Sequence, residues 1–298
     1  MKRLTIGFLL TPGFRNSDIV ELDAILHPHP LNTVHYISKD GQAVHDRSGF
    51  KMLATKSFDN CPHIDIFIVG ETNQSNINDN EIQNFIKKTA QKATHVIAIS
   101  NGVQLLEKSS LLNNHQVTSD AKSIEVMNKN GLTPIKSSTF VHSGKFFTCG
   151  PSTSAIEAAF EVLHQTRGPF FTKIIESVLE YDPKIRFSAY TPLLSKKAKE
   201  DVLKVGILVA PNMYLPDVIG AVDVLNALPN TEFHYIWKEK QDIKTLFGPT
   251  IQSTKTFNDC PPLDVLIAGA VLPNETVDDD VLSFFKEQSV NVKALIGV

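Results

Sequence analysis

The segment HVIAISNGVQLLEK, residues 95–108, puts a serine between a short apolar run and a helical pattern. That is the outline of a nucleophile elbow, in which a sharp strand-to-helix turn carries an exposed reactive side chain. Ser100 is the residue so carried. A serine hydroxyl attacks only when a neighbouring base takes its proton. His115 and His142 lie further along the chain, and no spacing brings either to Ser100. The nucleophile's place is filled, and its base is missing.

Other chemistries find less support. No H-x-x-x-H, clustered Cys/His or paired-carboxylate spacing suggests a metal site. No G-x-G-x-x-G or P-loop appears, so nucleotide binding has no support. Cys61 and Cys260 each precede a proline and an apolar run and read as small buried hydrophobes, and Cys149 reads as packing. His35 and His234 read as satisfied strand residues. A formal charge of -3 over 298 residues offers no footprint for nucleic acid. No apolar run approaches the roughly 20 residues of a membrane span. The opening MKRLTIGFLLTPGF is too short for a signal peptide and reads as a buried strand. Three cysteines make no disulfide framework, and a reducing, cytoplasmic setting is expected.

The elements that would hold Ser100 are those of an α/β protein. RLTIGFLL, TVHYIS, DIFIVG and HVIAIS are near-continuous apolar runs, as parallel strands covered on both faces require. NDNEIQNFIKKTAQKA is amphipathic, with Asp79 or Asn80 as its cap and Ile82, Phe85 and Ile86 as its stripe. SNGVQLLEKSSLL continues the elbow as a helix. STSAIEAAFEVLHQTRG is another, closed by Gly168-Pro169, and FTKIIESVLEY follows it. Alternating strands and helices predict a doubly wound or three-layer α/β/α sandwich around a parallel sheet.

The chain also repeats itself. IGFLLTPGFRNSDIVELDAIL from Ile6 returns as VGILVAPNMYLPDVIGAVDVL from Val205. The offset is constant: 217 − 18 = 199 for the aspartates, 260 − 61 = 199 for the cysteines and 269 − 70 = 199 for the glycines. A tandem duplication is expected, with a complete domain at 1–187, a linker at 188–202 and the first half of a second domain at 203–298. Lys196, Lys197 and Lys199 fit a solvated connector. Val298 corresponds to Ile99, which suggests a fragment or truncated product ending before the second elbow, or a gap covered by a second protomer.

The order TPGF…D…DAIL, FDNCPHIDIFIVG, strand-Ser-Asn-Gly-helix, TCGPSTSAIEAAFEVL and LEYDPKIRF resembles the DJ-1/PfpI (ThiJ/PfpI) superfamily, in its isonitrile-hydratase-like branch. The resemblance implies a flavodoxin-like, class I glutamine-amidotransferase-like sheet. It also implies an elbow cysteine paired with a carboxylic acid from the first loop, hydrating isonitriles to N-substituted formamides without a cofactor. The nucleophile position is then Ser100, and the acid positions are Asp18 and Asp217. Asp18 reads equally well as an N-cap of the following helix. Asp120 stands where the family often has histidine. Gly70, Glu71, Asn101 and Gly102 form the loops expected to supply oxyanion donors, with Gly269-Ala270 as the later equivalent.

Three functions compete on these residues. In the first, an isonitrile-hydratase-like enzyme keeps its working site in the second copy, and the first copy has lost the chemistry. In the second, both copies are non-catalytic and bind a small molecule or a partner protein. In the third, Ser100 serves a hydrolase. The resemblance also implies self-association, as a homodimer or as a pseudo-dimer within one chain, and no nucleic-acid or membrane partner.

Overall fold

The computed structural model describes residues 2–130, 132–135, 138–181, 202–226, 228, 230–270 and 278–297. Residues 188–201 of the expected linker, with Lys196, Lys197 and Lys199, lie outside the described residues. The first unit runs β1 (Leu4–Leu9), α1 (Asn16–Leu26), β2 (Asn32–Ser38), β3 (Val44–His45), β4 (Lys51–Met52), β5 (Lys56–Ser57) and β6 (Ile66–Val69). It continues with α2 (Gln74–Ile77), α3 (Asn80–Lys92), β7 (His95–Ile99), α4 (Gly102–Lys108), α5 (Ala121–Lys129), β8 (Phe140–Ser143), β9 (Phe146–Cys149) and α6 (Ser152–Val178). The second unit runs β10 (Leu203–Leu208), α7 (Leu215–Asn226), β11 (Thr231–Trp237), β12 (Asp242–Lys244) and β13 (Thr250–Gln252). It closes with β14 (Lys255–Thr256), β15 (Val265–Ala268), α8 (Asp279–Ser289) and β16 (Ala294–Gly297).

The first sheet has the order β5-β2-β1-β6-β7-β9-β8, parallel except for the antiparallel edge strand β8. Its strands alternate between two cores. Ile6, Phe8, Ile66, Ile68, Ile97 and Ile99 face α1 and α6, while Leu9, Phe67, Val69, Val96 and Ala98 face α3, α4 and α5. Both faces are covered, so both sets of positions must be apolar. The architecture is a three-layer α/β/α sandwich. Asp79 caps α3, accepting from the N–H groups of Glu81 and Ile82. Gly168, at φ 83°, breaks α6 into two arms at the expected Gly168-Pro169.

The second sheet, β14-β11-β10-β15-β16, repeats the strand order of β5-β2-β1-β6-β7. Leu4 pairs with Asn32 and Leu203 with Thr231, each residue shifted by 199. Lys39 bridges Asp79 and Glu81, and Lys238 bridges Asp278 and Asp280, again at that offset.

The two units share one core. Buried residues of α1 and α6 join Val218, Ile219 and Val222 of α7 in a single cluster. Short strands from both units form a third, antiparallel sheet, β12-β13-β4-β3, in which Met52 pairs with Ile251. Polar links cross the same junction, Ser48 Oγ to the Tyr235 hydroxyl at 2.7 Å and Lys51 Nζ to Gln252 Oε1 at 2.7 Å.

Candidate functional site

Ser100 follows β7 directly, in the left-handed region at φ 52°, and is 8% exposed. Its N–H donates to the carbonyls of Cys149 at 3.1 Å and Gly150 at 3.0 Å, which ties the elbow to the end of β9. Its carbonyl accepts from Ser119 Oγ at 2.6 Å. The turn is tight because α4 starts hard against the end of β6. A Cβ at Gly102 would lie 2.4 Å from the Val69 carbonyl oxygen and 2.5 Å from that of Gly70. Only glycine fits there, and the strain at Ser100 is held by its neighbours.

The Ser100 hydroxyl donates to Asp120 Oδ2 at 2.9 Å. Asp120 caps α5, accepting on Oδ1 from the N–H groups of Lys122 and Ser123, each at 3.0 Å. Ser123 Oγ donates to Oδ2 at 2.6 Å. Burial pushes the Asp120 carboxyl up, but the donors from Ser123, Ser100 and Lys122 outweigh it and hold it below its ordinary range. Such a carboxylate is a poor base for a serine hydroxyl. Neither histidine replaces it. His115 pairs with Ser143 Oγ at 3.1 Å, and His142 stacks on Phe147.

Asp18 lies in the first turn of α1 and is 0% exposed. The cap reading of Asp18 is overturned. The helix starts at Asn16, so the N-cap position falls to Arg15, whose side chain makes no capping bond. Asn16 is drawn inward to donate to Asp46 Oδ2 at 2.6 Å, which starts the helix early and turns Asp18 into the core. There Oδ2 accepts from the Glu71 N–H at 2.6 Å, and Oδ1 accepts from Ser152 Oγ at 2.6 Å. Burial pushes its pKa up to about 6 against those two hydrogen bonds. Ser100 and Asp18 share no hydrogen bond; each is committed to other partners.

The loops expected to supply oxyanion donors clip each other instead. The Glu71 N–H is used by Asp18. Thr72 donates its N–H to Asn101 Oδ1 at 2.9 Å, and Asn101 Nδ2 returns a bond to the Thr72 carbonyl at 2.8 Å. The Glu71 carboxylate lies between two guanidiniums, Arg15 Nη2 at 3.1 Å and Arg47 Nη1 at 2.8 Å. Ser152, Arg15 and Arg47 escaped sequence reasoning. Ser152, in the TCGPSTS segment, is 134 residues from its partner.

In the second unit Asp217 repeats the geometry of Asp18, its Oδ2 accepting from the Ala270 N–H at 3.0 Å. Here Tyr214, Leu246 and Ala270 occupy the positions of Arg15, Arg47 and Glu71, each 199 residues on. The charged clamp has no counterpart. Cys149 is buried, and burial with Asp18 nearby drives its thiol far up. Cys61 and Cys260 are half-buried rather than buried, each Sγ donating to the carbonyl of the next proline at 3.4 Å. Burial raises both thiols, Cys260 to about 11. His234 is buried with its Nε2 lacking a hydrogen bond among the described residues, 3.5 Å from Glu232. It is less satisfied than a plain strand histidine would be. Among the described residues, no three His, Cys, Asp or Glu side chains converge as metal ligands, and no helix is long and apolar enough to cross a membrane.

A profile of the DJ-1/PfpI family matches residues 5–165. The isonitrile hydratase of Pseudomonas putida is 27% identical over 200 residues, covering 66% of this chain and 87% of that protein. A ThiJ/PfpI family protein from Pseudomonas syringae superposes with a TM-score of 0.59 at 18% identity, over 64% of this chain and 80% of its own. DJ-1 of Schizosaccharomyces pombe superposes with a TM-score of 0.52 at 14% identity, over 60% of this chain and 100% of its own. At these identities the structural likenesses speak to fold alone.

Proposed function

The chain belongs to the DJ-1/PfpI family, and on that premise we propose that it is a non-catalytic relative of isonitrile hydratase that works by binding a small molecule. In this reading residues 1–187 are one family domain and 203–298 are the first half of another, joined by 188–202. The constant 199-residue offset and the repeated strand order support an origin by duplication.

One observation carries the loss of chemistry. The Ser100 hydroxyl donates a hydrogen bond to Asp120, a carboxylate that already accepts four others. Thiolate chemistry at an elbow needs a sulfur, and serine chemistry needs a base of matched pKa. Ser100 has neither. The commitment of the Glu71 N–H to Asp18 removes a further donor from the place where charge would develop.

The test uses the full chain with an alkyl isonitrile, following N-substituted formamide by chromatography, and in parallel a fluorophosphonate probe with peptide mapping. The expected result is no formamide above the protein-free rate and no label on Ser100. Formamide at enzyme-like turnover would overturn the proposal in favour of hydration, and a phosphonylated Ser100 would overturn it in favour of a hydrolase.

A further inference from the structure

Two adjoining cavities lie where the units meet, and Ala24, Leu179 and Tyr214 wall both. The larger, about 470 Å³, is lined on one side by Phe171, Ile174 and Val178 of α6 and on the other by Leu246 and Phe247. The smaller, about 240 Å³, is lined by Glu21 of α1 and Asp217 of α7, beside Phe160 and Tyr181. Tyr214 and Leu246, which wall this space, differ from their first-unit counterparts. At the equivalent place in the first unit, Arg15 and Arg47 close on Glu71. Tyr214 and Leu246 have no carboxylate to close on, since the residue facing them is Ala270.

We propose that this junction binds an amphipathic amine, its apolar body against Phe171, Val178 and Phe247 and its ammonium head between the carboxylates of Glu21 and Asp217. The inference rests on the reading of the protein as a binder and names the ligand class. Charge complementarity sets the polarity of the occupant. Two carboxylates at one end of an apolar passage repel an anion and attract a cation. The rings of Tyr181, Tyr214 and Phe160 line the smaller cavity, and aromatic walls favour an ammonium further. Glu21 Oε2 is buried and accepts no hydrogen bond among the described residues. Rotation about the soft terminal torsion of that side chain turns the oxygen to the cavity. Burial, with Asp18 and Asp223 nearby, pushes Glu21 up to about 7 against the pull of Arg15, so this acid has no adequate counter-charge. Asp217 spends one oxygen on the Ala270 N–H. An ammonium supplies both carboxylates with donors.

The probes are n-hexylamine, 1-hexanol and hexanoate, titrated calorimetrically into the full chain. The amine is expected to bind at least ten-fold more tightly than the alcohol, and hexanoate not at all. Glu21→Gln and Asp217→Asn should each weaken the amine about ten-fold and leave the alcohol unchanged. Leu246→Arg should abolish both by filling the passage, and Ser100→Ala should alter neither. A thermal melt of each variant confirms folding; should Asp217→Asn fail to fold, Glu21→Gln carries the comparison. Equal affinity for the three probes, or no binding of the amine, overturns the site. Amine affinity lost in Ser100→Ala overturns it too, by moving the ligand to the elbow. None of these outcomes bears on the loss of chemistry at Ser100, which formamide formation and Ser100 labelling decide separately.

Discussion

Met52 stands opposite Ile251 in an antiparallel ladder, and 251 − 52 = 199, the same spacing that relates Asp18 to Asp217. Each residue therefore pairs with its own counterpart, which is the signature of a contact about a two-fold axis. Both side chains are fully buried. Around them one apolar cluster runs through both units, so neither unit's core is closed without the other.

Met52→Ala should accordingly weaken the second unit although the residue belongs to the first. Removing a buried Met or Ile side chain costs about 2–5 kcal/mol. Trp237, the single tryptophan, reports on the second unit. Its fluorescence midpoint in urea is expected to fall together with the far-UV circular dichroism midpoint. A Trp237 transition that stays where it is in the wild type would show that the units unfold independently.

Asp120 and Ser100 should separate in stability. Asp120→Ala removes the α5 cap and leaves Ser100 and Ser123 without an acceptor, for a loss of about 1–2 kcal/mol. Ser100→Gly loses one hydrogen bond but relieves a left-handed residue. It should lie within about 1 kcal/mol of wild type. Chemical denaturation of the two variants checks the order, and a larger loss from Ser100→Gly would contradict it.

Acid and neutral pH should differ in a direction set by the buried carboxyls. Burial raises Asp18 and Asp46 from 3.8 to about 6, and Glu21 from 4.5 to about 7. Each holds its proton more tightly folded than unfolded, so its contribution is complete below its unfolded pKa. The contribution is lost as pH rises through the folded value. The melting temperature is expected to fall between about pH 4 and 7, and Glu21→Gln should flatten the upper part of that decline. A melting temperature that rises across the window would show these groups are not protonated in the fold.

Glu71→Gly should leave Arg15 and Arg47 facing each other without their shared carboxylate. Like-charged guanidiniums in one place recruit an anion. Inorganic phosphate is expected to raise the melting temperature of this variant and not that of the wild type. Equal responses would mean that the clamp is not what occupies the two arginines.

The sandwich was legible because its strands are buried on both faces and so read as unbroken apolar runs. The α3 cap and the break at Gly168-Pro169 were legible because local chemistry decides them. Asp18 misled as a cap because Asn16, reaching Asp46 thirty residues away, decides where α1 begins. The ladder joining the units was invisible, since β4 is two residues long and β13 three, too short for any periodicity. The partnership of Ser100 with Asp120 needed the fold to bring two loops together, although Asp120 before AKSIEVM already had the look of a helix start.

Ser17 Oγ hydrogen-bonds to Asp223, and the counterparts of these two residues are Pro216 and Ala24, which form no such bond. Two identical subunits would have to make every contact twice or not at all, and any residue change would fall on both sides of the axis. A single chain carrying both sides is released from that rule. Each position mutates alone, and one side of the junction is free to close around a salt bridge while the other stays open. Asymmetry of this kind is heritable only where the two sides are encoded separately.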